Sequence, residues 1–317
     1  ARGEFYPEDF LIPFAAMRFG RPVCWIEDRS EHLKATNQSR EQRHRIKIGV
    51  KKDGTIVAME AEILFNMGAY TRTHGATPAI SASSILRGPY RIENYRCNVF
   101  CVLTNKTPVG TYRSPGRYEA NFVRERMMDL LARRLDLDPA DVRRRNFIRP
   151  EQMPYDNGPH PFHFVVYDTG DYPGQFERAL ERIGYERLKS TCEAARKEGR
   201  SIGVGIGCFV ETSGLGPWEY ARVELDNAGK VVLYSGCNSV GQGVDTVLSQ
   251  IVADELQVRL KDVRVVHGDT AKVPYGNGSN ASRSTVMAGS AAVGASRKVR
   301  DKLLRIASGA LEIDPED

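Results

Sequence analysis

The sequence predicts an α+β protein made of two related lobes of mixed sheet and helices. Three observations lead there. Apolar residues recur at helical spacing in Tyr118–Leu135, and a helical, charged pattern resumes over 175–198. Two turns, Lys51-Lys52-Asp53-Gly54 and Asp226-Asn227-Ala228-Gly229, each separate a pair of strand-forming runs. Both hairpins follow a helix-bearing stretch and lead toward a glycine, Gly68 in the first half and Gly236 in the second, so one theme is stated twice. The expected divisions are a first lobe over 1–150, a connection over 151–200 and a second lobe over 201–317.

Residues 8–19 read as a helix, with Phe10, Leu11, Phe14, Ala15 and Met17 to Phe19 on its apolar face before Gly20-Arg21-Pro22 stops it. Val23–Ile26 reads as a strand. Arg45–Val50 and Thr55–Phe65 form the first hairpin, and Tyr95–Thr104 is a further strand. The longest helix, Tyr118–Leu135, places Val123, Met127, Leu130 and Leu131 on one side. A short helix then carries Arg143-Arg144-Arg145 behind Asp136, Asp138 and Asp141, a pattern that suits a solvated face or carboxylate partners. Pro150 to about Gly174, rich in Pro, Gly and His, reads as a long connection. In the second half Ser201–Val210 reads as a glycine-laced strand and Ala221–Leu225 pairs with Lys230–Ser235. Helix 245–257, strand Val263–His267 and helix 287–308 complete it.

A chain of 317 residues with 41% hydrophobic and 27% charged residues has the composition of a soluble globular protein. The net charge of +5 is small, and bases alternate with acids, as in Arg124-Glu125-Arg126, so there is no nucleic-acid footprint. No apolar run approaches the roughly 18 residues of a membrane span, and no charged-then-apolar leader is visible. Six cysteines lack paired CxxC spacing and are expected as buried, reduced thiols of a cytoplasmic protein. The histidines lack ligand spacing, so no metal site is expected from protein side chains.

Chemistry concentrates in three loops, each just ahead of a helix: Thr111 to Arg117, Ser239 to Thr246, and Gly276 to Thr285. In the second, Gly241-Gln242-Gly243 lets backbone approach a ligand closely, and the following helix offers unpaired N–H groups to an anion. The same glycines also suit an ordinary strand-to-helix turn, Ser284 or Thr285 suits a helix cap, and Arg113 or Arg117 a surface turn. Together the loops offer hydroxyls, amides and guanidiniums, a set that matches phosphate or oxo ligands. No segment has the P-loop pattern, Gly203 to Gly207 lacks a dinucleotide-binding context, and no nucleophile elbow is present.

The order and spacing of these loops resemble the molybdenum-cofactor-binding large subunit of the xanthine dehydrogenase, aldehyde oxidase and carbon monoxide dehydrogenase family. The match covers nearly the whole chain. It is closest to the carbon-monoxide-dehydrogenase-like branch at Gly20-Arg21-Pro22 to Asp28-Arg29-Ser30-Glu31, Thr104-Asn105-Lys106, Arg145-Asn146-Phe147-Ile148-Arg149-Pro150-Glu151-Gln152 and Val265-Val266-His267-Gly268-Asp269-Thr270. The resemblance implies that Gly241, Gln242, Gly243 and Thr246 hold the pterin and its phosphate, with Ser282, Arg283, Ser284 and Thr285 on the same cofactor. It places Arg113 in the active-site loop and Phe209 where an aromatic ring helps position substrate.

The resemblance further implies molybdopterin in its cytosine dinucleotide form, with iron–sulfur and FAD centres on partner subunits or domains in a dimer of heterotrimers. The reaction implied is oxidation of an aldehyde or N-heterocyclic carbon with water-derived oxygen. The family's glycine-rich loop is expected to end about where Ala1-Arg2 begins, and its catalytic glutamate to lie beyond Asp317, since Glu211 does not match that motif. The chain therefore reads as an internal fragment, inactive alone. The alternatives are a non-catalytic molybdopterin-binding or assembly fragment and a general anion-binding module.

Three departures bear on substrate. Ser114 stands where carbon monoxide dehydrogenases carry a copper-binding cysteine, and a hydroxyl is a poor ligand for soft Cu(I). Ser81-Ala82-Ser83-Ser84 occupies the region where xanthine-specific relatives carry a substrate arginine, and Pro115 replaces an aromatic residue.

Overall fold

The computed structural model describes residues 4–158 and 165–314. Residues 159–164 of the expected connection, and Ala1-Arg2 at the expected end of the glycine-rich loop, lie outside the described residues. The chain divides into two compact units, Glu4–Val210 and 211–314.

In the larger unit, α1 (Pro7–Phe19) and α2 (Arg29–Ala35) precede a sheet of β1 (Gln42–Val50), β2 (Ile56–Gly68) and β3 (Asn94–Leu103). The Asp53-Gly54 turn closes the antiparallel β1–β2 hairpin, with Gly54 at φ +89° and its N–H donated to the Lys51 carbonyl at 2.9 Å. The chain then crosses through α3 (Thr77–Ile85) and returns as β3, which pairs parallel to β2. Alternation along β2 sends Met59, Ala61, Ile63, Phe65 and Met67 inward. Met59, Ala61 and Ile63 meet Ala82 of α3, Leu86 just after it, Ala120, Met128 and Ala132 of α4 (Arg117–Leu135), and Ala140 and Val142 of α5 (Pro139–Asn146), while Phe65 and Met67 pack with Ala79 and Val109. The short pair β4 (Tyr155–Asp156) and β5 (Val166–Tyr167) leads to α6 (Tyr172–Ile183) and α7 (Tyr185–Lys197).

The smaller unit repeats this plan. The antiparallel strands β6 (Ala221–Leu225) and β7 (Val231–Ser235) turn at Asp226 to Gly229. A crossover through α8 (Val244–Leu256) leads to β8 (Val263–Val266), parallel to β7. A π-helical turn, Ser284–Ala288, opens into α9 (Gly289–Leu311). Val223, Val231, Leu233, Leu248, Val252, Ala288 and Ala292 form its core. The sequence signalled the hairpins through their turn residues. The parallel third strand has no such signal, because it depends on where the crossover helix returns the chain.

Two expected strands are absent. Val23–Ile26 has no ladder partner among the described residues, and Trp25 and Ile26 are exposed. Ser201–Val210 is also outside any sheet. Two of its carbonyls accept from side chains instead: Arg143 Nη2 donates to Ile206 O at 3.0 Å and Arg124 Nη2 to Cys208 O at 2.6 Å. The cysteines are all unpaired as expected, but Cys24 and Cys101 are exposed rather than buried. Cys101 lies on β3, an edge strand, and Cys24 lies in the stretch that forms no strand.

The three arginines at the end of α5 each find carboxylates. Arg143 is fully buried and donates to Glu125 at 2.9 Å and Asp129 at 3.0 Å. Arg144 engages both oxygens of Glu177, at 2.6 and 2.9 Å, tying α5 to α6. Arg145 reaches Asp53 in the hairpin turn at 3.0 Å.

Candidate functional site

In the smaller unit, β7 ends at Ser235 and the chain runs through Gly236 to the turn at Gly241 and Gly243, with φ of +94° and +82°. These dihedrals demand glycine, yet a Cβ built at either position meets nothing within 4 Å. The space over the turn is open, as a cradle for a ligand requires. Gln242 folds its own loop, accepting the Val240 N–H on Oε1 at 2.6 Å, which leaves its NH2 as a donor. Gly243 starts α8 with no side-chain cap, so the first N–H groups of that helix keep their capacity for an anion. Thr246 is exposed in the first turn, and Asp245 is paired with His267 at 3.0 Å.

The loop that ends at Thr285 is brought against this one. A Cβ on Gly236 would collide with the Tyr275 carbonyl, and one on Gly276 with the Gly236 carbonyl, so the two backbones cross where neither carries a side chain. Ser279 joins them: its hydroxyl donates to Asn238 O at 2.5 Å, lies 3.1 Å from Cys237 Sγ and 3.3 Å from Ser284 Oγ. This role leaves no mark in the sequence, since a serine bound to a backbone carbonyl has no distinctive spacing. Ser282 and Thr285 are exposed and Ser284 is half-buried.

Arg283 lies differently from its neighbours, being 1% exposed. Its Nη1 binds Glu219 at 2.6 Å, Nε the Leu215 carbonyl at 3.0 Å, and Nη2 the Pro217 and Trp218 carbonyls at 2.5 and 3.3 Å. Every guanidinium nitrogen is committed within the unit, so this side chain anchors the loop. Glu219, buried beneath it, also accepts the Asn277 N–H at 3.2 Å.

The third loop belongs to the larger unit. Arg113 and Ser114 sit consecutively at φ +33° and +48°, and Gly116 follows at +78° before α4 begins. In the smaller unit Ala281 and Ser282 repeat this pair, at φ +48° and +53°. Each left-handed non-glycine residue costs about 1–3 kcal/mol, so such pairs persist only where surroundings hold them. Both lie between the third strand of a sheet and the long helix after it, one position in a shared plan. Gly116 permits a tight passage, because a Cβ there would strike Pro78 O in α3.

Arg113 is exposed, with its guanidinium 5.7 Å from the Tyr112 ring centre. Phe209 is 71% exposed on the segment held by Arg124 and Arg143. No hydrogen bond or ring contact joins Arg113 to Phe209 among the described residues. Burial, together with the Glu125 charge, pushes the Cys208 thiol beside Phe209 up to about 11, which leaves it unreactive.

Residues 1–147 and 178–317 each match a molybdopterin cofactor-binding domain. The chain is 42% identical over 322 residues to subunit gamma of the 6-hydroxypseudooxynicotine dehydrogenase complex of Paenarthrobacter nicotinovorans, an alignment covering 100% of this chain and 40% of that one. It is 34% identical over 330 residues to the carbon monoxide dehydrogenase large chain of Hydrogenophaga pseudoflava, covering 98% and 40%. The crystal structure of quinoline 2-oxidoreductase from Pseudomonas putida 86 matches with a TM-score of 0.90 at 30% identity, covering 99% of this chain and 41% of that one. The chain thus spans about 40% of the length of the relatives it matches.

Proposed function

Because this chain belongs to the molybdopterin cofactor-binding family, we propose that it forms the cofactor-cradling part of a molybdenum hydroxylase large subunit. The intact enzyme oxidises an N-heterocyclic or aldehyde carbon with water-derived oxygen. The observation that carries this reading is the open Gly241-Gln242-Gly243 turn, joined at its base to the loop ending at Thr285.

The residues present fit a pterin phosphate. Two glycines leave room for it, and the uncapped start of α8 and the Gln242 amide supply donors. Thr246, Ser282, Ser284 and Thr285 add hydroxyls around it, while Arg283 keeps the second loop in place. When bound, the cofactor supplies the redox chemistry. Arg113 and Phe209 face substrate in this reading, the one as a hydrogen-bond donor and the other as an apolar wall. Ser114 offers a hydroxyl where copper would need a thiolate, so carbon monoxide is not the substrate by a copper route.

The names of the nicotine-derived and quinoline relatives favour an N-heterocyclic substrate. The proposal extends to the cytosine dinucleotide form of the cofactor and to iron–sulfur and FAD centres on partners in a dimer of heterotrimers. Among the described residues no helix is long and apolar enough to cross a membrane. The six unpaired thiols support a cytoplasmic site. The test is molybdenum and pterin analysis of the full-length complex, with a screen of heterocycles and aldehydes against an artificial electron acceptor. Turnover by molybdenum-free protein, or a complex that holds no pterin, would refute the reading.

A further inference from the structure

The strained turn at Arg113 and Ser114 is gathered onto one side chain that lies more than seventy residues earlier in the chain. Arg40 Nη2 donates to Tyr112 O at 2.6 Å and also to Arg113 O, and its Nη1 donates to Ser114 O at 3.2 Å. Three successive carbonyls therefore converge on a single guanidinium.

Arg40 is itself built in. It adopts φ +86°, its guanidinium lies 4.6 Å from the Tyr118 ring centre, and Nη1 is 3.7 Å from Glu119 on the first turn of α4. Glu119 is largely buried, with neither oxygen hydrogen-bonded, so the Arg40 charge is its compensation. The backbone before Arg40 runs beside the start of the loop. Gln38 accepts the Gly110 N–H at 3.1 Å and donates its own N–H to Pro108 O at 3.1 Å.

We propose that Arg40 is the positioning residue of the Arg113 loop. By collecting the carbonyls of Tyr112, Arg113 and Ser114 it holds two left-handed residues in place and fixes the turn from which Arg113 projects. In a turn of this kind carbonyls and N–H groups take opposite sides, so with the carbonyls on Arg40 the N–H groups remain for a ligand. A planar fork can serve three carbonyls at once, whereas an ammonium cannot hold the same geometry. The catalytic consequence rests on the reading of 111–117 as an active-site loop; the clamp itself does not.

The experiment uses the full-length, cofactor-loaded complex with Arg40→Ala, Arg40→Lys and, as control, Arg113→Ala. Hydrogen–deuterium exchange should rise in Arg40→Ala within the peptide 108–117 and the first turn of α4, and not elsewhere. Its kcat, measured well below the melting temperature, should fall about 10- to 100-fold with molybdenum content close to wild type, while Tm falls because Glu119 loses its counter-charge. Millimolar guanidinium should restore part of that loss, and Arg40→Lys should restore less. If Arg40→Ala does not fold, exchange and kcat in Arg40→Lys and Glu119→Gln carry the test, with the same direction expected.

Unchanged exchange in 108–117 overturns the clamp. A kcat within about twofold of wild type, while Arg113→Ala is severely impaired, overturns its role in catalysis. If Arg113→Ala is harmless as well, the active-site reading of the loop is what fails, and the exchange result alone decides whether Arg40 holds the turn.

Discussion

Glu125 takes three donors at once: Arg124 at 3.0 Å, Arg143 at 2.9 Å and the Tyr90 hydroxyl at 3.1 Å. Both guanidiniums are buried, so Glu125→Ala would leave Arg124 without its carboxylate and Arg143 with Asp129 in place of two partners. A loss of about 3–5 kcal/mol is expected in chemical denaturation of the full-length protein, and a loss below about 1 kcal/mol would show that water or Asp129 makes good the charge. The acid–base interleaving that hides this network was visible in Arg124-Glu125-Arg126, but which members turn inward was not. The turn at Gln242 was legible because glycines bracket it, and both adopt positive φ. Arg40, Ser279 and Glu219 were not, because their partners are largely backbone groups of distant segments, and a carbonyl or N–H leaves no residue-type signature. Arg283 shows the opposite error: its residue type suggested a ligand contact, while its burial makes it an anchor.

At the scale of elements, the two hairpins were readable because Asp-Gly and Asn-Ala-Gly turns state their own geometry. Val23–Ile26 and Ser201–Val210 misled because β-forming residues need a partner strand, and sequence alone does not supply one. The helices α2 and α3 carried start signals, the reciprocal Asp28/Glu31 capping bonds at 2.8 Å and Pro78 in the first turn, yet both are too short to display an apolar period. In the smaller unit, Asp262 couples the β6–β7 turn to β8. It is bonded by Lys230 and, at 2.7 Å, by Arg259, which hold its carboxyl down from 3.8 to about 2. The folded-state value lies below the unfolded one, so this contribution is fully present above 3.8 and fades as pH falls toward about 2. Asp262→Asn should therefore lower stability at neutral pH and converge with wild type across that window. A difference between the two that is constant from pH 7 to pH 2 would refute the assignment.

Over the whole molecule, the same plan occurs twice: hairpin, crossover helix, parallel strand, strained dipeptide, long helix. The repeat was legible from Gly68 and Gly236, and the structure gives the reason, since a Cβ at either would strike the loop after the third strand. What the sequence could not show is how much surface is left over. No residue of α1 is buried, and Phe10, Leu11, Phe14, Met17 and Phe19 are all exposed, a larger apolar face than an isolated soluble unit tolerates. The 317-residue chain expressed alone should bind a hydrophobic dye and show no hydroxylase turnover, whereas the full-length subunit should bind little dye. Measurable turnover by the isolated chain would contradict this. The paired left-handed residues carry a different consequence. A library of the full-length enzyme selected only for heat resistance should accumulate Gly or Asn at Arg113, Ser114, Ala281 and Ser282, each relieving about 1 kcal/mol or more. Under the proposed function survivors should have slower turnover, since at these four positions thermal endurance and catalytic output would then draw on the same backbone and pull it in opposite directions.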